Sequence, residues 1–244
     1  MEDLKILFED RDMIVAVKPA GVDSEAAGGL TKDMVNMIRN HIAAGRAGEG
    51  GTGNKGSKEP PYVGVIQRLD RPVSGVMVFA KTKEAAAALS KELREGKMKK
   101  TYRAVLCGQP KEKSGMLTDW IVQEKQGNLS RVGKKTDPGA KEAKLEYTVL
   151  RKQFFLGEQI SEVEIRLLTG RHHQIRVQFA SRGMPLMGDR KYNPACGSTP
   201  PAGLCGSSDL GRQLCLAAVS LSFTHPKTGK PMTFQIDPPF ALQR

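Results

Sequence analysis

The sequence predicts an α+β fold. Short apolar runs bounded by turn residues recur along the 244-residue chain, and they follow one another at hairpin spacing. Stretches with helical spacing are few and do not alternate with the strands, which argues against a doubly wound parallel sheet. Hydrophobic residues make up 39%, a globular value, and the length allows a sizeable core.

In chain order, Leu4 to Phe8 and Met13 to Val17 read as a hairpin across a Glu-Asp-Arg-Asp turn. Lys18-Pro19-Ala20-Gly21 ends the second strand. Thr31 to Ala44 has helical spacing through Met34, Ile38 and Ile42, with Thr31 as N-cap. Gly45 to Lys58 is glycine-rich and nearly free of apolar groups, so it reads as a mobile loop. It is not a phosphate-binding loop, because GxxxxGK[ST] is absent.

Val65 to Lys81, VIQRLDRPVSGVMVFAK, is the stretch that organises the chain. Two apolar runs flank a bend that sets Asp70 between Arg68 and Arg71. Positive surroundings favour an ionised carboxylate, and one fixed on a strand-held loop can act as nucleophile, base or metal ligand. The plainer reading is a surface ion pair or an Asx-turn.

Lys83 to Arg94 is a strong helix former with Gly96 as its stop. Lys97, Lys99, Lys100 and Arg103 form a basic cluster leading into a strand at Tyr102 to Leu106. Tyr102 alone would be a half-buried strand aromatic. Ser114 to Gly139 reads as a hairpin excursion anchored by Trp120, with a loose tip at Lys134 to Gly139. Glu142 to Leu150 and Ile160 to Leu168 alternate apolar and polar residues, as strands with one wet face do.

Leu167 to Gln178, LLTGRHHQIRVQ, ends a strand and starts a helix near Arg171, with Ile175 and Phe179 facing the core. His172 and Arg176 would then share another face. His172 and His173 are adjacent, so on a helix they point about 100° apart and cannot chelate together. Asn193 to Gly211 is a loop by composition, and Gln213 to Ser222 a strand followed by a turn at His225 and a last strand. His225 reads as a structural residue of that turn.

The net charge of +12 points to a polyanionic partner such as RNA. The N-terminus is acidic and polar, unlike a secretory signal, and no run approaches the roughly 18 apolar residues of a membrane span. Four cysteines without a CxxC read as the reduced thiols of a cytoplasmic protein. Cys196, Cys205 and Cys215 are too widely spaced for a zinc knuckle. No metal is expected.

RLDRPVSG resembles the RLDxxTSG signature of the RluA-type pseudouridine synthases, and TGRHHQIRV their TGRTHQIRV motif. DRDMIVAVKPAGV, KTYRAVLCG, GMPLMGDRKY and QLCLAAVSLSFTHPKTG resemble further family segments in the family's order. The likeness spans Ile6 to Pro239. Gln67, Val73, His172 and Gln178 depart from the family pattern.

The resemblance implies a single α+β catalytic domain over residues 1–244, with a long, mostly antiparallel bent sheet flanked by helices. No separate N-terminal RNA-binding domain is expected. It implies isomerisation of uridine to pseudouridine in structured RNA, ribosomal or transfer, without cofactor or metal. Asp70 would be the catalytic nucleophile or base, Tyr102 the group beside the target base, and Arg176 the ion-pair partner of Asp70. Arg68 would fill the gap left by the flipped base. Arg71, Lys18, Lys99, Lys100, Arg171, His173 and Gln174 complete the set expected to touch RNA or substrate. The protein is expected to be monomeric. Two other readings stay open: a non-catalytic RNA-binding or assembly protein, and a metal-dependent phosphodiesterase built on Asp70, Asp189 and His173.

Overall fold

The computed structural model describes residues 4–26, 32–48, 60–155, 158–193 and 213–240. The elements begin β1 (Lys5–Glu9), β2 (Met13–Lys18), α1 (Met34–Gly48), β3 (Gly64–Val65), β4 (Ser74–Ala80), α2 (Lys83–Arg94) and β5 (Lys99–Cys107). They continue β6 (Ser114–Gln123), β7 (Ser130–Gly133), β8 (Lys141–Phe155), β9 (Glu158–Leu167), α3 (Gln174–Ala180), β10 (Leu216–Thr224) and β11 (Pro231–Gln235). The chain forms two compact units: Met1–Met98 with Leu221–Gln235, and Lys99–Ser220 with Ile236–Arg244. The α+β expectation holds, and every strand pairing with a described register is antiparallel.

The first unit runs β1-β2-β4-β10, with β3 on β4 and β11 on β10. The apolar run of β4 is buried at every position, as a strand covered on both faces requires. The β1–β2 turn is closed by the Asp10 carboxylate, which accepts from Asp12 N at 2.8 Å and Met13 N at 2.9 Å. His225 acts as the structural residue expected of it. Its Nε2 lies 2.6 Å from Asp10 Oδ2, and its Nδ1 accepts from Lys227 N and Thr228 N.

Two helix ends differ from expectation. α1 is capped by Asp33, whose carboxylate accepts from Asn36 N at 2.8 Å; Thr31 lies outside the described residues. α1 also runs on through Gly45 to Gly48, where a loop was expected. Ala43, Ala44 and Ala47 are strong helix formers, and each glycine costs only about 1 kcal/mol. The remainder of that loop lies outside the described residues. α2 matches its expectation. Gly96, at φ +68°, closes it with Gly96 N donating to Leu93 O and Lys97 N to Glu92 O.

The second unit runs β10-β5-β9-β8-β6-β7. Leu145, Val163 and Ile165 are fully buried on its inner face. α3 packs there: Phe179 meets Tyr147 edge-on at 5.8 Å, and Val177 joins Ile121 and Ala143. The tip after β7, expected to be loose, is held. Asp137 accepts from Arg131 at 2.8 Å, and that bond lowers its carboxyl pKa. Trp120 is half-buried, with Lys135 Nζ 5.6 Å from its ring centre. Most of the 193–211 loop lies outside the described residues.

Candidate active site

In the first unit, the residues from Ile66 to Val73 form the loop that carries Asp70. Their side chains alternate in exposure: Gln67 and Leu69 are buried, Arg68 and Arg71 exposed, Asp70 half-buried. The loop hangs on the segment after β2. Ser24 Oγ both donates to Leu69 O (2.9 Å) and accepts from Leu69 N (3.0 Å). Gly21 N donates to Arg71 O, and Arg71 Nε returns a bond to Gly21 O at 3.0 Å. Within the loop, Val73 N donates to Asp70 O at 2.9 Å.

Lys18 corrects its place in the RNA-contact set. Its side chain is fully buried, and its ammonium donates to Pro19 O (3.0 Å), Val22 O (2.6 Å) and Arg71 O (3.0 Å). Three donors spent on three carbonyls leave a brace for the Asp70 loop, not a phosphate contact. Burial pushes its pKa down to about 8, against the opposing pull of Asp23 and Asp70. Ser24 was missed by sequence reasoning. Gln67 is buried, and among the described residues neither of its amide atoms has a hydrogen-bond partner.

In the second unit, Tyr102 is buried on β5 opposite Ile165 of β9. Lys99 is exposed and Lys100 half-buried, with burial lowering the Lys100 pKa. A Cβ built on Gly170 would lie 3.6 Å from the Lys100 ammonium, which places that group beside the Thr169–Gly170 bend.

The stretch after that bend departs from the helix expected at Arg171. α3 starts at Gln174, because His173 takes a left-handed conformation at φ +52°. His172 therefore lies off the helix. The two imidazoles do not diverge; they stack at 3.8 Å between centres. His172 Nδ1 is 2.8 Å from Ser130 Oγ, and His173 Nδ1 is 2.8 Å from Tyr192 OH. His173 and Gln174 are buried. Gln174 braces the bend: its Oε1 accepts from Thr169 Oγ1 and Arg171 N, and its Nε2 donates to Lys144 O at 3.0 Å. Arg171 Nε donates to Glu142 O at 2.7 Å. Gln174 thus builds the bend with both atoms of its amide, and His173 joins it to Tyr192 through Nδ1.

Arg176 is buried and pairs with Asp189, through Nε to Oδ2 and Nη2 to Oδ1, both at 2.8 Å. Its guanidinium lies 5.2 Å from the centre of the Tyr192 ring. Asp189 Oδ1 also accepts from Lys191 N and Tyr192 N. With both oxygens engaged, Asp189 is an arginine holder and not the open ligand that a phosphodiesterase reading needs. Among the described residues no three His, Cys, Asp or Glu side chains are grouped to hold a metal ion. Cys107 is half-buried and Cys215 buried. The expected pairing of Arg176 with Asp70 joins residues of different units and belongs to the proposal below.

The sequence matches the model of the RNA pseudouridylate synthase family over residues 12–181. The chain belongs to this family. An RNA pseudouridine synthase of Aquifex aeolicus, itself uncharacterised, is 34% identical over 241 residues, covering 97% of this chain and 70% of that protein. The dual-specificity RNA pseudouridine synthase RluA of Salmonella typhimurium is 31% identical, covering 97% of this chain and 94% of its own length. The ribosomal large subunit pseudouridine synthase D of Zymomonas mobilis is 32% identical over 98% of this chain and 71% of its own. Human RNA pseudouridylate synthase domain containing 1 shares the fold, with a TM-score of 0.71 at 22% identity over 98% of this chain and 85% of that one. The protein is an RNA pseudouridine synthase of the RluA type, an enzyme that isomerises uridine in RNA. Among the described residues no helix is long and apolar enough to cross a membrane.

Proposed function

We propose that the enzyme acts on specific uridines of a structured ribosomal or transfer RNA, with Asp70 as the group that attacks the target nucleotide. The bond from N1 to C1′ breaks, the uracil turns, and C5 joins C1′. Asp70 either adds to C1′ or removes a C2′ proton. Tyr102 assists loss of the C5 proton, and Arg176 supports the Asp70 carboxylate. No cofactor or metal enters this scheme. The observation that carries it is the Asp70 loop itself: a half-buried carboxylate between two exposed arginines, on backbone clamped by Lys18, Gly21 and Ser24. Such clamping fits a group that must meet a reacting atom within a fraction of an ångström. Arg68 takes the place of the flipped base, and Arg71, Lys99, Lys100 and Arg171 face the RNA backbone. Residues 1–244 act as one catalytic domain, as a monomer, in the cytoplasm.

The test is tritium release from RNA labelled at uridine C5, taken from a strain lacking the gene. Isomerisation must expel that hydrogen. Release by wild type and none by Asp70→Asn supports the reading. Release by both proteins removes Asp70 from its role, and release by neither ends the assignment to that RNA.

A further inference from the structure

Two side chains outside the proposed catalytic set grip Arg176 from two directions. The Asp189 carboxylate takes one edge of the guanidinium through Nε and Nη2, which fixes the group in its own plane. The Tyr192 ring lies 5.2 Å from the guanidinium carbon, within cation–π range, and limits its tilt. Tyr192 is itself tethered. Its hydroxyl accepts from Ser130 N at 2.7 Å and meets His173 Nδ1 at 2.8 Å, while its backbone N donates to Asp189. The His173 ring stands edge-on to it at 5.5 Å. Gly188, at φ +74°, makes the bend that delivers Asp189; a Cβ there would fall 2.1 Å from Gln213 O.

We propose that Tyr192 is a positioning residue for the reaction, holding Arg176 in its working orientation through the face of its ring. The proposal rests on the role given above to Arg176. It assigns the work to the electron-rich face of the ring and not to the space that the ring fills. A bulky apolar side chain is then no substitute, and a less electron-rich ring of the same shape is a poorer one.

The experiment measures the single-turnover rate at saturating enzyme, with the same C5-tritiated RNA, and RNA affinity by filter binding. Tyr192→Leu is expected to lower the rate about tenfold, the scale of a partly desolvated cation–π contact, with affinity changed less than about twofold. Tyr192→Phe keeps the ring and is expected to recover most of the rate. Phenylalanines of increasing fluorination at position 192 keep the shape while draining the ring face, so the logarithm of the rate should fall stepwise along the series. This series stands even if the leucine variant fails to fold. A flat series, or a folded Tyr192→Leu at the wild-type rate, overturns the proposal. Arg176→Gln is run in parallel. If it is slow while the series is flat, only the role of Tyr192 falls; if it turns over at the wild-type rate, the role of Arg176 falls too.

Discussion

The ammonium of Lys18 and the carbonyl of Arg71 stand 53 positions apart in sequence and 3.0 Å apart in space. That bond, with the two to Pro19 O and Val22 O, fastens the Asp70 loop to the end of β2. Lys18→Met removes the donor to Pro19 O and Val22 O, while Arg71 O keeps its bond from Gly21 N, and should cost about 2–4 kcal/mol, given roughly 1–3 kcal/mol for each buried polar group left unmade. Denaturant unfolding measures the loss. The rate of tritium release should drop as well, because the loop loses a brace. An unchanged rate would separate the clamp from catalysis.

The same lysine predicts a pH effect. Its pKa is about 8 in the fold, against 10.5 for an ordinary lysine. Between these values the unfolded chain holds a proton that the folded chain has released. Stability from this group therefore rises with pH across that window and is lost as pH falls through 8. Wild type should gain on Lys18→Met from pH 8 to 10.5 in paired unfolding curves. Side-chain NMR should show Lys18 titrating well below Lys97, whose pKa Glu95 raises.

Breaking the Arg176–Asp189 pair from one side leaves a buried charge without that partner. Asp189→Leu should destabilise by about 3–5 kcal/mol. Adding Arg176→Met should return part of that loss, measured by thermal unfolding as a positive coupling. Activity should return in neither variant.

Gln67 carries the opposite expectation. Both of its amide atoms are buried without a partner among the described residues, so the amide is expected to be a cost in the free protein. Gln67→Leu keeps the size and removes the polar group. Its melting temperature should be unchanged or higher, by up to about 2 kcal/mol in stability. A clear destabilisation would mean that the amide is satisfied after all, by bound water.

Arg68, Arg71 and Lys99 are exposed and should meet phosphate or base. Lys99→Gln should weaken RNA binding uniformly across sequences and reduce the slope of log affinity against log salt by about one. Filter binding over a salt series measures this. Arg68→Gln should reduce the rate more than the affinity.

Much of this was legible in the sequence, for identifiable reasons. β4 carries the unbroken apolar run Val76 to Ala80, and α2 ends in a glycine that only a left-handed stop requires. The bend bearing Asp70 was legible as a break between two apolar runs. What escaped notice depended on long-range closure or on rare backbone. Ser24 meets Leu69 across 45 positions, and no local pattern announces it. Lys18 was expected near the RNA or near Asp70; its full burial among three converging carbonyls is a long-range closure that no local pattern announces. The start of α3 was misplaced because His173 adopts a conformation that glycine usually signals. That same twist overturned the geometry expected for the two histidines. Asp189 was noticed for the wrong chemistry, since a carboxylate's partner cannot be read from its neighbours in the chain.

Neither unit is a continuous piece of chain: Met1–Met98 is completed by Leu221–Gln235 across a long gap, and Lys99–Ser220 by Ile236–Arg244 across a short one. During synthesis, β1 to β4 must wait for β10 and β11 before their sheet is whole, because those two supply its missing strands. The segment bearing Asp70 thus belongs to the part whose assembly spans the longest stretch of synthesis, and a chain truncated before β10 would display that segment on an unfinished sheet.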